Sequence, residues 1–267
     1  MYLDRIVETK KQEVTRLKET VFLAELERKI ATLAPCRNFS QAVAQGNRAV
    51  GLIAEVKKAS PSKGLIRADF HPVELAMAYT AAGANCLSVL TDEQYFQGSN
   101  EYLQQIREHV DVPILRKDFT IDAMQIYEAR TLGADAILLI AAILSDEQLG
   151  QFLQHAQDLS LTALVEVHTE EELQRVLGLG AKFIGINNRN LHTFVTDLKT
   201  TEQLITQIPK DTIVISESGI SKPEEIAYLH GLGVNGVLVG EHFMRQPDIR
   251  QAVLGLMGPV MAGGTAV

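Results

Sequence analysis

Short β-branched runs alternate with stretches of helical apolar spacing along most of this chain, and no other feature restricts its fold as tightly. The runs are Leu52–Lys57, Cys86–Leu90, Pro113–Lys117, Ala136–Ile140, Ala163–Val167, Phe183–Asn187, Thr212–Glu217 and Gly236–Gly240. Each has the length of one strand and is bounded by turn residues. Between them Val73–Ala82, Ala123–Leu132, Glu147–Leu159, Glu170–Leu177 and Glu224–Leu232 place apolar residues on one helical face. Four joints repeat: Ala82-Gly83-Ala84, Leu132-Gly133-Ala134, Leu179-Gly180-Ala181 and Leu232-Gly233-Val234 each follow a helical stretch and precede a run. Glycine there suits a left-handed helix terminus. A β/α unit recurring every roughly 20 to 35 residues predicts a parallel sheet. Eight units favour closure over an open doubly wound sheet, because the segment after the first run, Lys57-Lys58-Ala59-Ser60-Pro61-Ser62-Lys63-Gly64, is no dinucleotide-binding glycine loop. The expected fold is α/β, a single (β/α)8 TIM barrel, and 267 residues suffice for it.

Ahead of the barrel, Leu3, Ile6, Val7, Val14, Leu17, Leu23, Leu26 and Ile30 recur at helical spacing among charged residues and predict one or two amphipathic helices. The expected division is a helical extension over 1–48, the barrel over 49–257 and a frayed tail over 258–267. A net charge of −8 disfavours nucleic acid as a partner, since a phosphate backbone requires a basic face. The longest apolar runs fall short of a membrane span, and the amino terminus is charged rather than signal-like. A cytoplasmic monomer is expected, with no membrane partner. Cys36 and Cys86 lack disulfide or zinc spacing, so no metal is expected.

Side chains alternate along a strand, so Ile53, Glu55 and Lys57 share one face. The same parity groups Leu115 with Lys117, Leu164 with Glu166, and Ile213 and Ile215 with Glu217, while Asn187 and Arg189 share a face opposite Ile184 and Ile186. In a barrel, inward-facing charges belong at the carboxyl-terminal mouth, where active sites form. Any one of these charges could be a structural ion pair; five at corresponding strand ends read as a site, because burying each ion costs several kcal/mol. The overall acidity would repel an anionic substrate unless a local basic cluster overrides it. The candidates are Lys57, Lys58, Lys63, Arg67, Arg116, Lys117 and Arg189. Turns at Ser216-Glu217-Ser218-Gly219-Ile220 and Val239-Gly240-Glu241-His242, after the last two runs, add an expected phosphate pocket built from backbone N–H groups. Glu241 suits an anion pocket poorly, so its carboxylate is expected to point elsewhere.

Five segments carry a resemblance: Ile53-Ala54-Glu55-Val56-Lys57-Lys58-Ala59-Ser60-Pro61-Ser62, Leu115-Arg116-Lys117-Asp118-Phe119, Leu164-Val165-Glu166-Val167-His168, Ile184-Gly185-Ile186-Asn187-Asn188-Arg189-Asn190-Leu191 and Ser216-Glu217-Ser218-Gly219-Ile220. In content and order they resemble the motifs of the indole-3-glycerol-phosphate synthase family. The resemblance implies a carboxy-lyase of tryptophan biosynthesis acting on a small anionic phosphorylated substrate, 1-(2-carboxyphenylamino)-1-deoxyribulose 5-phosphate, without a cofactor. It would make Lys117 the general acid on the ketone, Glu166 a catalytic carboxylate for later proton movements, and Glu55 with Lys57 a second acid/base pair. It would set Asn187 and Glu217 on the sugar hydroxyls, Arg189 in electrostatic support, and Ser60, Ser218, Gly219 and Gly240, with Lys57 nearby, around the phosphate and carboxylate; Glu241, from the turn after the last run, is counted among the binding residues as well. Lys57 and Glu166 remain alternative donors of the dehydration proton. A phosphoribosylanthranilate isomerase would be expected to show a Cys/Asp pair at the mouth, where neither cysteine falls. A silent metabolite-binding barrel would not need the charged set. Of the seven scattered histidines only His168 and His242 fall near the mouth, with a structural role the more favoured reading for each.

Overall fold

The computed structural model describes residues 2–190 and 193–261. Strands β1 (Gly51–Val56), β2 (Cys86–Leu90), β3 (Ile114–Lys117), β4 (Ala136–Ile140), β5 (Thr162–Val167), β6 (Phe183–Asn187), β7 (Ile213–Glu217) and β8 (Gly236–Val239) pair in parallel, and β8 closes onto β1 to complete a barrel. Glycines 83, 133, 180 and 233, the predicted joints, all have positive φ, between 82° and 94°. No side chain but glycine adopts that conformation cheaply, so each helix stops where the next strand must start.

Strand parity sorts the core into two layers. Ile53, Leu115, Leu138, Leu164, Ile215 and Leu238 point inward and fill the barrel, whereas Leu52, Ala54, Val56, Leu87, Ile137, Val165 and Val237 point outward to the helices. Those helices are α4 (Pro72–Ala81), α6 (Asn100–Arg107), α7 (Ala123–Thr131), α8 (Asp146–Asp158), α9 (Glu170–Gly178), α10 (Lys199–Ile205), α11 (Pro223–Gly231) and α13 (Ile249–Met257), with the four-residue turns α5 (Glu93–Phe96) and α12 (Glu241–Met244) at the mouth.

The amino-terminal segment folds as α1 (Tyr2–Thr20), α2 (Leu23–Ile30) and α3 (Phe39–Ala44). Helix α3 was not foreseen, because six residues are too few to show a helical period. Its Phe39 and Val43 are fully buried and close the amino-terminal end of the barrel beside Cys86. Cys86 thus lies in the interior at the end remote from the mouth, and both cysteines are free thiols. The residues that begin the expected tail are held to the loop before β1: Gly258 accepts a hydrogen bond from Arg48 Nε at 3.1 Å, and Met261 N–H donates to Asn47 at 3.0 Å. Residues 262–267, the rest of that tail, lie outside the described residues.

Helix α1 crosses the opposite end, at the mouth. Its buried residues Ile6, Lys10 and Val14 recur at four-residue spacing. Lys10 is only 2% exposed, and its ammonium lies 2.7 Å from Asp118 Oδ1, 3.2 Å from Asp92 Oδ2 and 2.6 Å from Glu13 Oε2. Burial disfavours its charge, but Asp118 and Asp92 outweigh that and hold Lys10 above its ordinary range. Removing one member of such a buried cluster strands the others, at a cost of about 3–5 kcal/mol. Lys10→Met should therefore lower the unfolding free energy measured in urea by that much; a change under about 1 kcal/mol, the scale of an exposed pair, would show that α1 is not anchored there.

Candidate active site

The inward-facing charges come together at the carboxyl-terminal ends of the strands, around a cavity of about 510 Å³. Register accounts for the convergence. Asn187 on β6 stands beside Glu217 on β7, and Ile140 on β4 beside Glu166 on β5, so residues far apart in sequence reach one level of the barrel. Glu55, Lys57, Ser60, Lys117, Glu166, Asn187, Arg189, Glu217, Ser218, Gly219, Gly240 and Glu241, the whole predicted set, line this one cavity.

Lys117 is the hub. Its Nζ lies 2.6 Å from Glu217 Oε2 and 3.4 Å from Glu166 Oε2. Burial works against the ammonium, but Glu217, Glu166 and then Glu55 outweigh it and hold Lys117 well above the ordinary lysine range. The two carboxylates part company. Burial would raise Glu166, but Lys117, His168 and a hydrogen bond from Asn187 Nδ2 to Oε1 at 3.1 Å overcome it and keep Glu166 below its ordinary value. Glu217 is pushed up to about 7, chiefly by burial, with repulsion from Glu166 and Glu55, although Lys117 opposes the rise. Its Oε1 is buried without a hydrogen-bond partner among the described residues, and a Cβ on Gly185 would lie 2.1 Å from it. Gly185 is thus the space that lets Glu217 turn inward.

A second acid/base pair lies across the cavity, where Lys57 Nζ is ion-paired with Glu55 Oε2. Gly240 makes this possible, since a Cβ there would come within 2.3 Å of Glu55 Oε2. Towards solvent the wall changes sign. Ser218 and Gly219 take consecutive positive φ values of 68° and 78°, turning the chain after β7 around the cavity rim. Arg189 joins three loops: its guanidinium reaches Ser62 Oγ at 3.4 Å and Glu241 Oε2 at 3.3 Å, and its N–H donates to Asn187 Oδ1 at 3.0 Å. The Glu241 carboxylate stays at the rim rather than pointing away, lying 3.6 Å from Lys63 Nζ and 3.2 Å from Arg245 Nη2. Those cations, led by Lys63, overcome partial burial and lower its pKa.

Three members of the anticipated basic cluster are elsewhere. Arg116 has the opposite parity to Lys117, so it faces outward and pairs with Glu128 at 2.7 Å. Arg67 donates to the backbone carbonyls of Met244 and Gln246, at 3.2 and 2.8 Å, and the cavity wall includes neither it nor Lys58. The sequence reading also missed the apolar side of the cavity, formed by Phe96, Phe119, Leu138 and Ile140 with Tyr2 and Ile6 of α1. In sequence these are indistinguishable from core. Only Phe119, next to the Lys117-Asp118 motif, carried a local signal. Among the described residues no group of three or more His, Cys, Asp or Glu is arranged to hold a metal ion, and no helix is long and apolar enough to cross a membrane.

Comparison with known proteins was informative. The family model described as indole-3-glycerol phosphate synthase matches residues 3–256. The protein of that name from Rippkaea orientalis is 52% identical over 263 residues, covering 96% of this chain and 89% of the relative. The one from Geobacillus thermodenitrificans is 48% identical over 265 residues, covering 99% and 100%. Among solved structures, a 3-hexulose-6-phosphate synthase superposes with a TM-score of 0.62 at 16% identity, covering 80% of this chain and all of that one, a likeness of fold alone.

The raised Glu217 carboxyl has a measurable consequence. Its folded-state pKa lies above the ordinary 4.5, so the stability it contributes is complete below about pH 4.5 and is lost as pH rises through 7. Glu217→Gln should make the fall in unfolding free energy between about pH 5 and 8 shallower. A slope identical to wild type would mean that Glu217 is ionised throughout that range.

Proposed function

The chain belongs to the indole-3-glycerol phosphate synthase family, and on that premise we propose that its cavity converts 1-(2-carboxyphenylamino)-1-deoxyribulose 5-phosphate to indole-3-glycerol phosphate. The observation that carries the proposal is a lysine ammonium, held by two buried carboxylates, at a cavity with one apolar side and a cationic rim. An aromatic amine fits the apolar side, and the glycerol phosphate arm fits the rim.

The aromatic ring carbon that bears the carboxylate attacks the ketone carbon, driven by electrons from the amine nitrogen. Lys117 hands its proton to the ketone oxygen as negative charge develops there; its fixed ammonium is preorganised for that charge and needs no reorientation. Loss of carbon dioxide returns the electron pair to the benzene ring. The new hydroxyl then departs as water, taking one proton, while a base removes another from the adjacent methylene and completes the pyrrole ring. Glu166, kept ionised by its neighbours, is suited to be that base. Lys57, a cation beside Glu55 on the facing wall, is then the better donor of the dehydration proton. Asn187 and Glu217, whose carboxyl burial pushes up so that its acid form can donate as well as accept, suit the sugar hydroxyls. Ser60, Ser218, Gly219 and Gly240, with Arg189 and Lys63 nearby, suit the phosphate and carboxylate. Glu241 would act by holding those cations in place. The same reading takes the enzyme to be a cytoplasmic monomer that needs no metal or organic cofactor.

The product can be read directly, since the chain contains no tryptophan and its own emission comes from Tyr and Phe. Adding the carboxyphenylamino-deoxyribulose phosphate to the enzyme with a chelator should produce indole emission; a dark reaction would overturn the assignment. Lys117→Met and Glu166→Gln should each fold and lose about 100- to 10,000-fold in kcat, the contribution of a general acid or base. Near-wild-type turnover in either would remove that residue's role. Dephosphorylated substrate should lose about 1.5–3 kcal/mol of kcat/KM for each charge-assisted hydrogen bond forgone.

A further inference from the structure

His168 follows the strand that carries Glu166, and no role above uses it. Two residues apart, the side chains project to the same side. The imidazole Nε2 lies 3.4 Å from Glu166 Oε1, the oxygen that also accepts from Asn187. On its other edge Nδ1 lies 3.5 Å from Glu172 Oε2, and that oxygen accepts the backbone N–H of His168 at 2.6 Å. Glu172 is fixed in turn, because it lies in the first turn of α9 and its own N–H donates to the capping hydroxyl of Thr169 at 3.2 Å. The ring therefore lies between two carboxylates, within ion-pair distance of each but with neither nitrogen hydrogen-bonded among the described residues, and with 10% of its side chain exposed, behind the cavity rather than in its wall.

The charged groups that face it are Glu166 on β5, Glu172 on α9 and, deeper in the barrel, Glu217 on β7, with Lys117 of β3 beyond Glu166. The nearest three are acids, and a neutral imidazole could donate to only one of them, whereas the imidazolium can donate from both nitrogens. Burial disfavours that cation, but Glu172, Glu166 and Glu217 outweigh it and raise the ring above its ordinary value. A second cation there bears on the site, because Lys117 is one cation shared by two buried carboxylates and lies nearer Glu217, at 2.6 Å, than Glu166, at 3.4 Å.

We propose that His168, placed between Glu172 and Glu166, is a positioning residue that supplies Glu166 with a second cation beside Lys117 and so fixes that carboxylate for proton transfer. The proposal rests on the reading of Glu166 as the proton-transfer base. It is tested by kcat and KM as functions of pH for His168→Gln and His168→Asn, two neutral replacements that can still hydrogen-bond, beside Glu166→Gln and the double variant. Losing an opposite charge at this distance raises a carboxyl pKa by roughly one unit or more, so the acid limb of kcat should move upward by about that much. The loss in kcat should be about 10- to 100-fold, smaller than for removal of the acid/base group itself, with KM little changed. In the Glu166→Gln background the His168 replacement should cost nothing further. Glu172→Gln, which frees the ring, should move the limb the same way by less. An acid limb unmoved in both His168 variants, beside an impaired Glu166→Gln, would overturn the assignment to His168 alone. A Glu166→Gln variant with wild-type kcat would overturn the reading of Glu166 and the proposal with it.

Discussion

A lysine whose ammonium is buried at the end of a packed barrel must be paired, and the pairing of Lys117 with Glu217 and Glu166 sets the conditions for everything around it. Burying each ion costs several kcal/mol, and apolar residues of the same volume would stabilise a barrel more. The arrangement persists only if each charge is answered by another. Gly185 lacks a side chain so that Glu217 can enter, Asn187 turns its amide to Glu166, and Gly240 leaves room for Glu55. The result is a set of donors and acceptors that needs no reorganisation when charge develops on a bound molecule.

Behind this set lies a second ionic layer with a mechanical task. Strand parity divides the consecutive residues Arg116, Lys117 and Asp118: Arg116 and Asp118 share one side and pair at 3.7 Å, while Lys117 takes the other. Arg116 goes outward to Glu128, Lys117 inward to the cavity, and Asp118 up to Lys10 of α1. The helix that supplies Tyr2 and Ile6 to the apolar side is thus pinned one residue from the lysine at the hub. The cavity and anchoring networks share a strand end, so distortion of one reaches the other through a single peptide unit.

The rim follows a different logic. There the cations are partly exposed and screened, and Glu241 holds Arg189, Lys63 and Arg245 in a group that would otherwise repel itself. A carboxylate at the proposed anion-binding rim is reasonable on this footing: it orders the cations without neutralising them all.

The sequence by itself determined the barrel, its glycine joints and the inward parity of Glu55, Lys117, Glu166 and Glu217, because strand periodicity and the conformational freedom of glycine are local properties. The family motifs added Ser60, Asn187, Arg189, Ser218 and Gly219, but not the apolar residues of the wall. What only the tertiary structure decided is what depends on register and on distant chain segments: that α3 plugs the barrel, that Arg116 and Arg67 serve the scaffold, and that α1 delivers an apolar wall. The different fates of Glu166 and Glu217 belong to the same category. Both are inward glutamates near strand ends, alike in sequence, and they differ because Asn187 and His168 reach one and leave an oxygen of the other unpartnered among the described residues. A pKa is set by burial and by neighbours in space, and neither is written in the order of the residues.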